Sequence, residues 1–331
     1  MADAPVIHRS FIANLFERLR GGDIYQRWTR EGTHFGNFAA RKFGQAGLGP
    51  EDSVIGYTAA NLEQLTLAKK RGAKALHIQV DPGISWYEMR RQEQLAHPEA
   101  EDLSPMPGAE FLERMGQEWV QADKVIVHSE HSRVALLAQG VDAGRCVVVP
   151  PAFKSATTQT ARQLDSSRPF RVLFVGNHCL AKGYHVFVDA ARQAGAGFEF
   201  LSVGSQTMKS SYIEEASKHV TILGAKSQAG VREQMKRADV LVFPTLSDGF
   251  GLVQLEAMTA GLPVIATPCC GEVVKNRVNG LIVPPRDAQA IVSALHALKA
   301  DAERYEQLSL AASLRSLDYS PAFHFEALLG L

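Results

Sequence analysis

From Phe170 onward the chain alternates short β-branched runs, each closed by glycine or proline, with stretches whose apolar residues recur at helical spacing. FRVLFVG ends at Gly176 and is followed by KGYHVFVDAARQA; FEFLSVG, HVTILG, VREQMKRA, DVLVFP, GLVQLEAMTAG and LPVIAT continue the pattern. Successive strands separated by helices can join one sheet only through crossovers, so this order predicts a parallel sheet covered by helices on both faces. Upstream, SVIGY, KALHIQV and KVIVHS read as strands, with EQLTLAKKRG and SRVALLAQG as helices between them. The segment VVVPPAFKSATTQTARQLDSSRPF collects prolines and small polar residues without periodicity and reads as a linker. A length of 331 residues suits two domains. The expected division is an N-terminal α/β domain over 1–152, a linker over 153–169, a C-terminal domain over 170–316, and a terminal helix over 317–331 that packs back on the first domain. No apolar strand with a Gly-rich turn precedes SVIGY, so the first domain is expected to be shortened.

With 46% apolar residues the chain has material for two cores and is not a disordered polymer. Its 35 Lys and Arg balance 35 Asp and Glu, so no global field favours nucleic acid and any phosphate site must be local. Cys146, Cys179, Cys269 and Cys270 form no C-x-x-C pair and are too few for a disulfide framework, which fits a reducing, cytoplasmic setting. No apolar run reaches the ~18 residues of a membrane span. In SFIANLFERL, Phe11, Ile12, Leu15, Phe16 and Leu19 share one helical stripe beside Arg9, Arg18 and Arg20. Such a stripe covers a core or a partner, or lies on a membrane surface.

The informative stretch is PTLSDGFGLVQLEAMTAGLPVIATPCCGEVVKNRVNGLIVPPRD. DVLVFP is a buried strand, and the loop after it places Asp248, Gly249, Phe250, Gly251 and Leu252 at the carboxyl end of the sheet, before a helix. Open parallel sheets bind ligands at that edge. Glycines let backbone amides approach an anion, and a helix N-terminus adds positive partial charge. Asp248 and Glu256 are eight residues apart, which places one carboxylate in the loop and the other about two turns along the helix. Carboxylates at two ends of a long ligand can each accept hydrogen bonds from vicinal hydroxyls, as sugars and ribose present them. Asp248 could instead simply cap the helix.

The run DGFGLVQLEAMTAGLPVIA resembles the donor-binding signature of family-4 (group 1 type) retaining glycosyltransferases, where two acids with seven residues between them, usually E-x(7)-E, stand around G-F-G and are followed by EA-x-A-x-G-x-P-V-I-A. Asp248 stands for the usual first glutamate, and Glu256 matches the second. The similarity extends over roughly residues 50 to 300 and is strongest after Phe170. It implies the GT-B fold: α/β, with two Rossmann-like doubly wound parallel-sheet domains. It also implies that Asp248 orients the hydroxyls of a donor sugar, that Glu256 holds the ribose of a nucleotide, and that the amides of Gly249, Phe250 and Gly251 meet sugar and phosphates. Lys182 matches the lysine that pairs with the diphosphate in the family's G-R-x(4)-K-G loop, which begins here at Gly176. Asn177 stands where that loop has arginine, so one cation is missing. His178 beside it reads as an exposed loop histidine or as a weak substitute. Gly224 and Ala225 fall where the family's backbone meets the nucleobase, although a glycine also simply ends a strand.

On the N-terminal side, LHIQVDPGISWYEMRRQE corresponds to a cleft loop of the family. Asp81, in the turn Asp81-Pro82-Gly83, is the local candidate for the reacting sugar, or an ordinary turn residue. His77 within the strand reads as a core histidine, and His128 and Ser129 as further candidates at the same edge. Glu272 either reaches the cleft or caps the following helix. The chain contains no D-x-D triplet, so cationic and helix-dipole contacts are expected to hold the diphosphate, with no metal and no cofactor. The resemblance implies transfer of a sugar from a nucleotide diphosphate donor to a saccharide or lipid-linked acceptor hydroxyl, with retention, in polysaccharide or glycolipid assembly. A lipid acceptor would bring peripheral association with the inner face of the plasma membrane. The shortened first domain and the missing arginine keep open a non-catalytic nucleotide-sugar-binding or regulatory subunit.

Overall fold

In a computed structural model, residues 22–154 and 161–331 are described. The amphipathic stripe at residues 10–19 lies outside them. The chain divides into two compact units. One comprises the chain to Ile84, Pro105–Val127 and Leu136–Val148; the other comprises Ser85–Ser104, His128–Ala135 and everything from Val149.

The first unit holds a four-stranded sheet, β1 (Ser53–Tyr57), β2 (Lys74–Gln79), β3 (Lys124–Val127) and β4 (Cys146–Val148), paired in parallel in that order. β4 takes in the first two residues of the proline-rich segment, Val147 and Val148, which pair with Ile126 and Val127, and it ends before the expected linker at 153. Val54, Leu65, Ala75, Met115, Trp119, Val125 and Leu136 form its core. The helix Leu62–Arg71 ends at Gly72, whose φ of 73° is left-handed and suits glycine. The helix Ile24–Gln45 starts in a capping box, with Asp23 Oδ1 accepting from Gln26 N at 2.8 Å and Gln26 Oε1 accepting from Asp23 N at 3.2 Å.

The second unit holds a six-stranded parallel sheet: β5 (Phe170–Val175), β6 (Phe198–Val203), β7 (Thr221–Ile222), β8 (Val240–Phe243), β9 (Val264–Ala266) and β10 (Gly280–Ile282). The order is β10-β9-β8-β5-β6-β7, so the chain runs outward from β5 through β6 and β7, then returns to β8 and runs outward the other way. The resulting switch point between β5 and β8 is where a doubly wound sheet opens a crevice at its carboxyl edge. Every sheet position of β8 is buried, as expected for a strand covered on both faces. Phe174, Tyr184, Phe187, Leu295 and Tyr305 fill one core cluster, and Leu173, Leu241, Leu255 and Met258 belong to another. The helix Pro321–Leu329 groups with this unit, where His324 Nδ1 lies 2.7 Å from the Pro150 carbonyl. Among the described residues no helix is long and apolar enough to cross a membrane.

Candidate functional site

Three loops of the second unit converge at the switch point. The loop after β5 leaves the strand at Gly176 and passes through a single 3₁₀ turn, Leu180–Lys182, to Gly183. It is bonded to the loop after β8: Leu246 N donates to the Ala181 carbonyl at 3.0 Å, and Thr245 Oγ1 donates to the same oxygen at 3.3 Å. The β8 loop is in turn bonded to the loop after β9, with Asp248 N donating to Cys269 O and Gly271 N to Phe250 O, both at 2.9 Å. Gly183 shows why this approach needs glycine: its φ is 68°, and a Cβ there would lie 2.0 Å from the Pro244 carbonyl oxygen.

At this junction Lys182 Nζ meets Asp248 Oδ2 at 2.5 Å, with the side chains 26% and 18% exposed. The other carboxylate oxygen of Asp248 accepts from Phe250 N at 3.1 Å. Asp248 is thus the acceptor of a tight turn and does not cap the helix, which begins at Val253 after Leu252 with no side-chain cap. The amides of Gly249, Gly251 and Leu252 make no hydrogen bond among the described residues. The Phe250 ring is turned away from them into the core, edge-on to Tyr319 at 5.6 Å. The loop therefore presents backbone rather than an aromatic face.

The later helix start also corrects the placement of Glu256. It stands in the first turn of Val253–Thr259 rather than two turns along, because the Asp248 turn and left-handed Gly251 (φ 81°) occupy the intervening residues. Its carboxylate is half-buried and accepts no hydrogen bond among the described residues; burial raises its pKa, partly opposed by the nearby Arg232. Asn177 Oδ1 accepts from Ser205 Oγ at 2.7 Å. His178 is not an exposed loop residue: it is 0% exposed, stacks on Tyr184 at 4.3 Å, and burial lowers its pKa to about 4. A neutral imidazole so placed supplies no replacement charge for the missing arginine. Gly224, with φ of 67°, closes β7 and accepts from Gly204 N, while Ala225 is exposed beyond it.

Asp81 belongs to the first unit, where one carboxylate oxygen accepts from Gln79 Nε2 at 2.7 Å and from Gly83 N at 2.9 Å, and burial raises its pKa. His77 is a fully buried sheet residue between Asn61 and Gln79. Ser129 accepts from Ser132 N and so caps the helix Glu130–Ala138, while His128 Nδ1 faces the Val149 carbonyl.

The residue that pattern reading passed over is His131. Its Nε2 lies 3.0 Å from Ser247 Oγ, next to Asp248 in sequence, and burial lowers its pKa against the opposing charges of Asp248 and Glu272. His131, Ser247, Glu130, Glu272 and Met89 border a cleft of about 480 Å³ within this unit. Glu272 reaches that cleft, and no helix follows for it to cap. The available signal was the strand-to-helix junction VHSEHSR, whose histidine in the first helical turn points differently from the one ending the strand.

Residues 169–301 match the family of group 1 glycosyl transferases, and the fold is GT-B, with two parallel sheets layered by helices. Among curated proteins, D-inositol 3-phosphate glycosyltransferase of Nocardia farcinica is 29% identical over 235 residues, 63% of this chain and 52% of that protein. The amylovoran biosynthesis glycosyltransferase AmsK of Erwinia amylovora is 26% identical over 184 residues, 50% of this chain and 44% of that protein. The crystal structure of Anabaena HepE in complex with UDP superposes with a TM-score of 0.67 at 18% identity, covering 89% of this chain and 82% of that one. The chain thus spans about half the length of these two curated relatives.

Proposed function

We propose that the chain is a glycosyltransferase that moves a sugar from a nucleotide diphosphate donor to an acceptor hydroxyl with retention of configuration, in cytoplasmic assembly of a polysaccharide or glycolipid. The observation that carries this reading is the Lys182–Asp248 pair beside the free amides of Gly249, Gly251 and Leu252 at the switch point, inside the segment that matches the group 1 family. A diphosphate offers anionic oxygens to Lys182 and to those amides, so no metal is needed to hold it. Asp248 then faces the donor sugar, and Glu256, with its unused acceptor oxygens, takes the ribose hydroxyls. The amides and Lys182 stabilise charge that develops on the leaving phosphate. His131, Glu130 and Glu272 border the space for the acceptor.

The test is thermal stabilisation of the purified protein by a panel of UDP-, GDP-, dTDP- and ADP-sugars, followed by product analysis with the donor that binds. Glu256→Ala should weaken the nucleoside diphosphate by roughly 1–3 kcal/mol, the cost of an unpaired hydroxyl pair. Unchanged affinity in the folded variant would remove Glu256 from the site. A second reading, a nucleotide-sugar-binding subunit without turnover, is favoured by Asn177 and by the neutralisation of Lys182 through Asp248. Stabilisation without either transfer or donor hydrolysis would select it.

A further inference from the structure

We propose a transition-metal site of the zinc class, formed by Glu93, His97 and His185, that clasps the helix Ile84–Ala96 to the start of the helix Tyr184–Gln193. One ligand atom from each of the three residues lies within 4.8 Å of the others, and all three belong to the second unit. Glu93 and His97 are four residues apart and so share one helical face, with His97 immediately after the last helical residue. Glu93 and His185 are buried, and His97 is half-exposed, which leaves an entry path. The separation between Glu93 Oε2 and His185 Nε2 is 3.4 Å. Two ligands at ~2.1 Å from one tetrahedral ion stand about 3.4 Å apart, so closure requires little movement of this pair.

The surrounding contacts suit ligation. His97 Nδ1 is 3.4 Å from Glu99 Oε1, the carboxylate–imidazole contact that fixes the other ring nitrogen as a metal ligand. Glu93 is held through its second oxygen, Oε1, by Arg286 Nε at 2.6 Å. That leaves Oε2 for the ion. Arg286 is 49% exposed, so water screens its repulsion of a cation. The two imidazole rings lie 4.8 Å apart at 47°, close enough to serve one centre. His185 Nδ1 is buried without a partner and Nε2 is the ring nitrogen that faces Glu93, so Nε2 is the atom offered to the ion. Two imidazoles and one carboxylate leave a fourth position for water, and imidazole with carboxylate selects zinc, cobalt or nickel over magnesium or calcium.

His185 lies three residues after Lys182 in sequence, so ordering this helix start would also order the loop that carries the lysine. The site is independent of sugar transfer and its test does not need activity. Chelator-treated full-length protein is titrated with zinc by calorimetry and with cobalt by absorption. One equivalent should bind, the cobalt complex should show the intense d–d band of four-coordination, and zinc should raise the melting temperature. His97→Ala, at a half-exposed position, should lower affinity at least 100-fold and abolish the band, and Glu99→Gln should lower affinity 10–100-fold. Cys179→Ser and Cys269→Ser should change neither. No saturable binding, binding that survives His97→Ala in a folded variant, or binding lost with either cysteine would overturn the proposal.

Discussion

Asp248 and Lys182 neutralise each other in the ligand-free protein, and this makes the two substitutions act on nucleotide binding with opposite signs. At about 4 Å between charge centres and an effective dielectric constant near 20, the attraction is ~4 kcal/mol before desolvation is charged against it. With the side chains 26% and 18% exposed, a net ~1–2 kcal/mol is a reasonable coupling. An incoming diphosphate must draw Lys182 away from Asp248. Asp248→Asn removes that competitor, so affinity for a sugar-free nucleoside diphosphate should rise about fivefold, ~1 kcal/mol, while sugar transfer falls because the donor sugar has lost its anionic partner.

Lys182→Met does the reverse: it removes a charge-assisted contact worth about 1.5–3 kcal/mol, a loss of roughly 10- to 150-fold. It also leaves Asp248 with only the Phe250 amide, and ~1–2 kcal/mol of lost stability should lower the melting temperature by about 2–8 °C in a unit of this size. Calorimetry with the nucleoside diphosphate that stabilises the protein, run on both single variants and the double variant, gives the coupling directly. If Asp248→Asn weakens the nucleoside diphosphate as Lys182→Met does, with an unchanged melting temperature, Asp248 contacts the nucleotide itself and the competition argument is wrong.

Three further outcomes follow from particular contacts. Gly183→Ala forces a left-handed φ of 68° and a Cβ 2.0 Å from the Pro244 carbonyl, so it should cost at least ~1–2 kcal/mol and weaken nucleotide binding as the two loops part; a variant with wild-type melting and affinity would contradict the close approach. Asn177→Arg restores a planar cation to the loop and should tighten nucleoside diphosphate binding about tenfold, which calorimetry checks; no gain would mean that the loop does not lead to the phosphates. In the first unit, burial lowers the His77 pKa to about 4 and raises that of Glu118 to about 7. His77 therefore withdraws stability as pH falls from ~6.5 to ~4, and Glu118 withdraws it as pH rises from ~4.5 to ~7, each by ~3 kcal/mol. The two nearly cancel in the parent, so denaturant melts should show His77→Gln losing stability with rising pH and Glu118→Gln losing it with falling pH; parallel profiles would refute the assignment.

Strands β5 to β9 are legible because each is a short apolar run ended by glycine, proline or a turn, and burial on both faces demands such runs, whereas the three-residue β10 is too short to stand out in the sequence. The helix Ile24–Gln45 is not legible, and the reason is what it buries: Tyr25, Thr29, Gly32, Gly36 and Ala39. Apart from Tyr25 these are small or polar because the helix packs close to backbone, and a Cβ on Gly32 would lie 1.7 Å from the Ala59 carbonyl oxygen. Trp28, Phe35 and Phe38, three of its large apolar residues, are exposed, while Phe43 packs partly buried against the core. Apolar periodicity therefore marks the wrong face of this helix.

The candidate site shows a different limit. Motif spacing nominates Lys182, Asp248 and Glu256 as candidates, but spacing assumes a regular element between the named residues. Here the Asp248 carboxylate folds back on the Phe250 amide and Gly251 turns left-handed before the helix begins, so the distance from Asp248 to Glu256 is set by a turn rather than by helical rise. The reading of His178 as an exposed loop histidine fails for a related reason: its loop is drawn against the sheet by His178 N donating to Ser205 O at 2.7 Å. That bond pulls the imidazole under Tyr184, away from any phosphate. With His178 neutral and buried and Asn177 in the arginine position, Lys182 is the one cation the β5 loop brings to the site. Under the proposed function, its pairing with Asp248 would tie donor affinity to a single competition, and the two substitutions test whether nucleotide binding and sugar transfer separate at this ion pair.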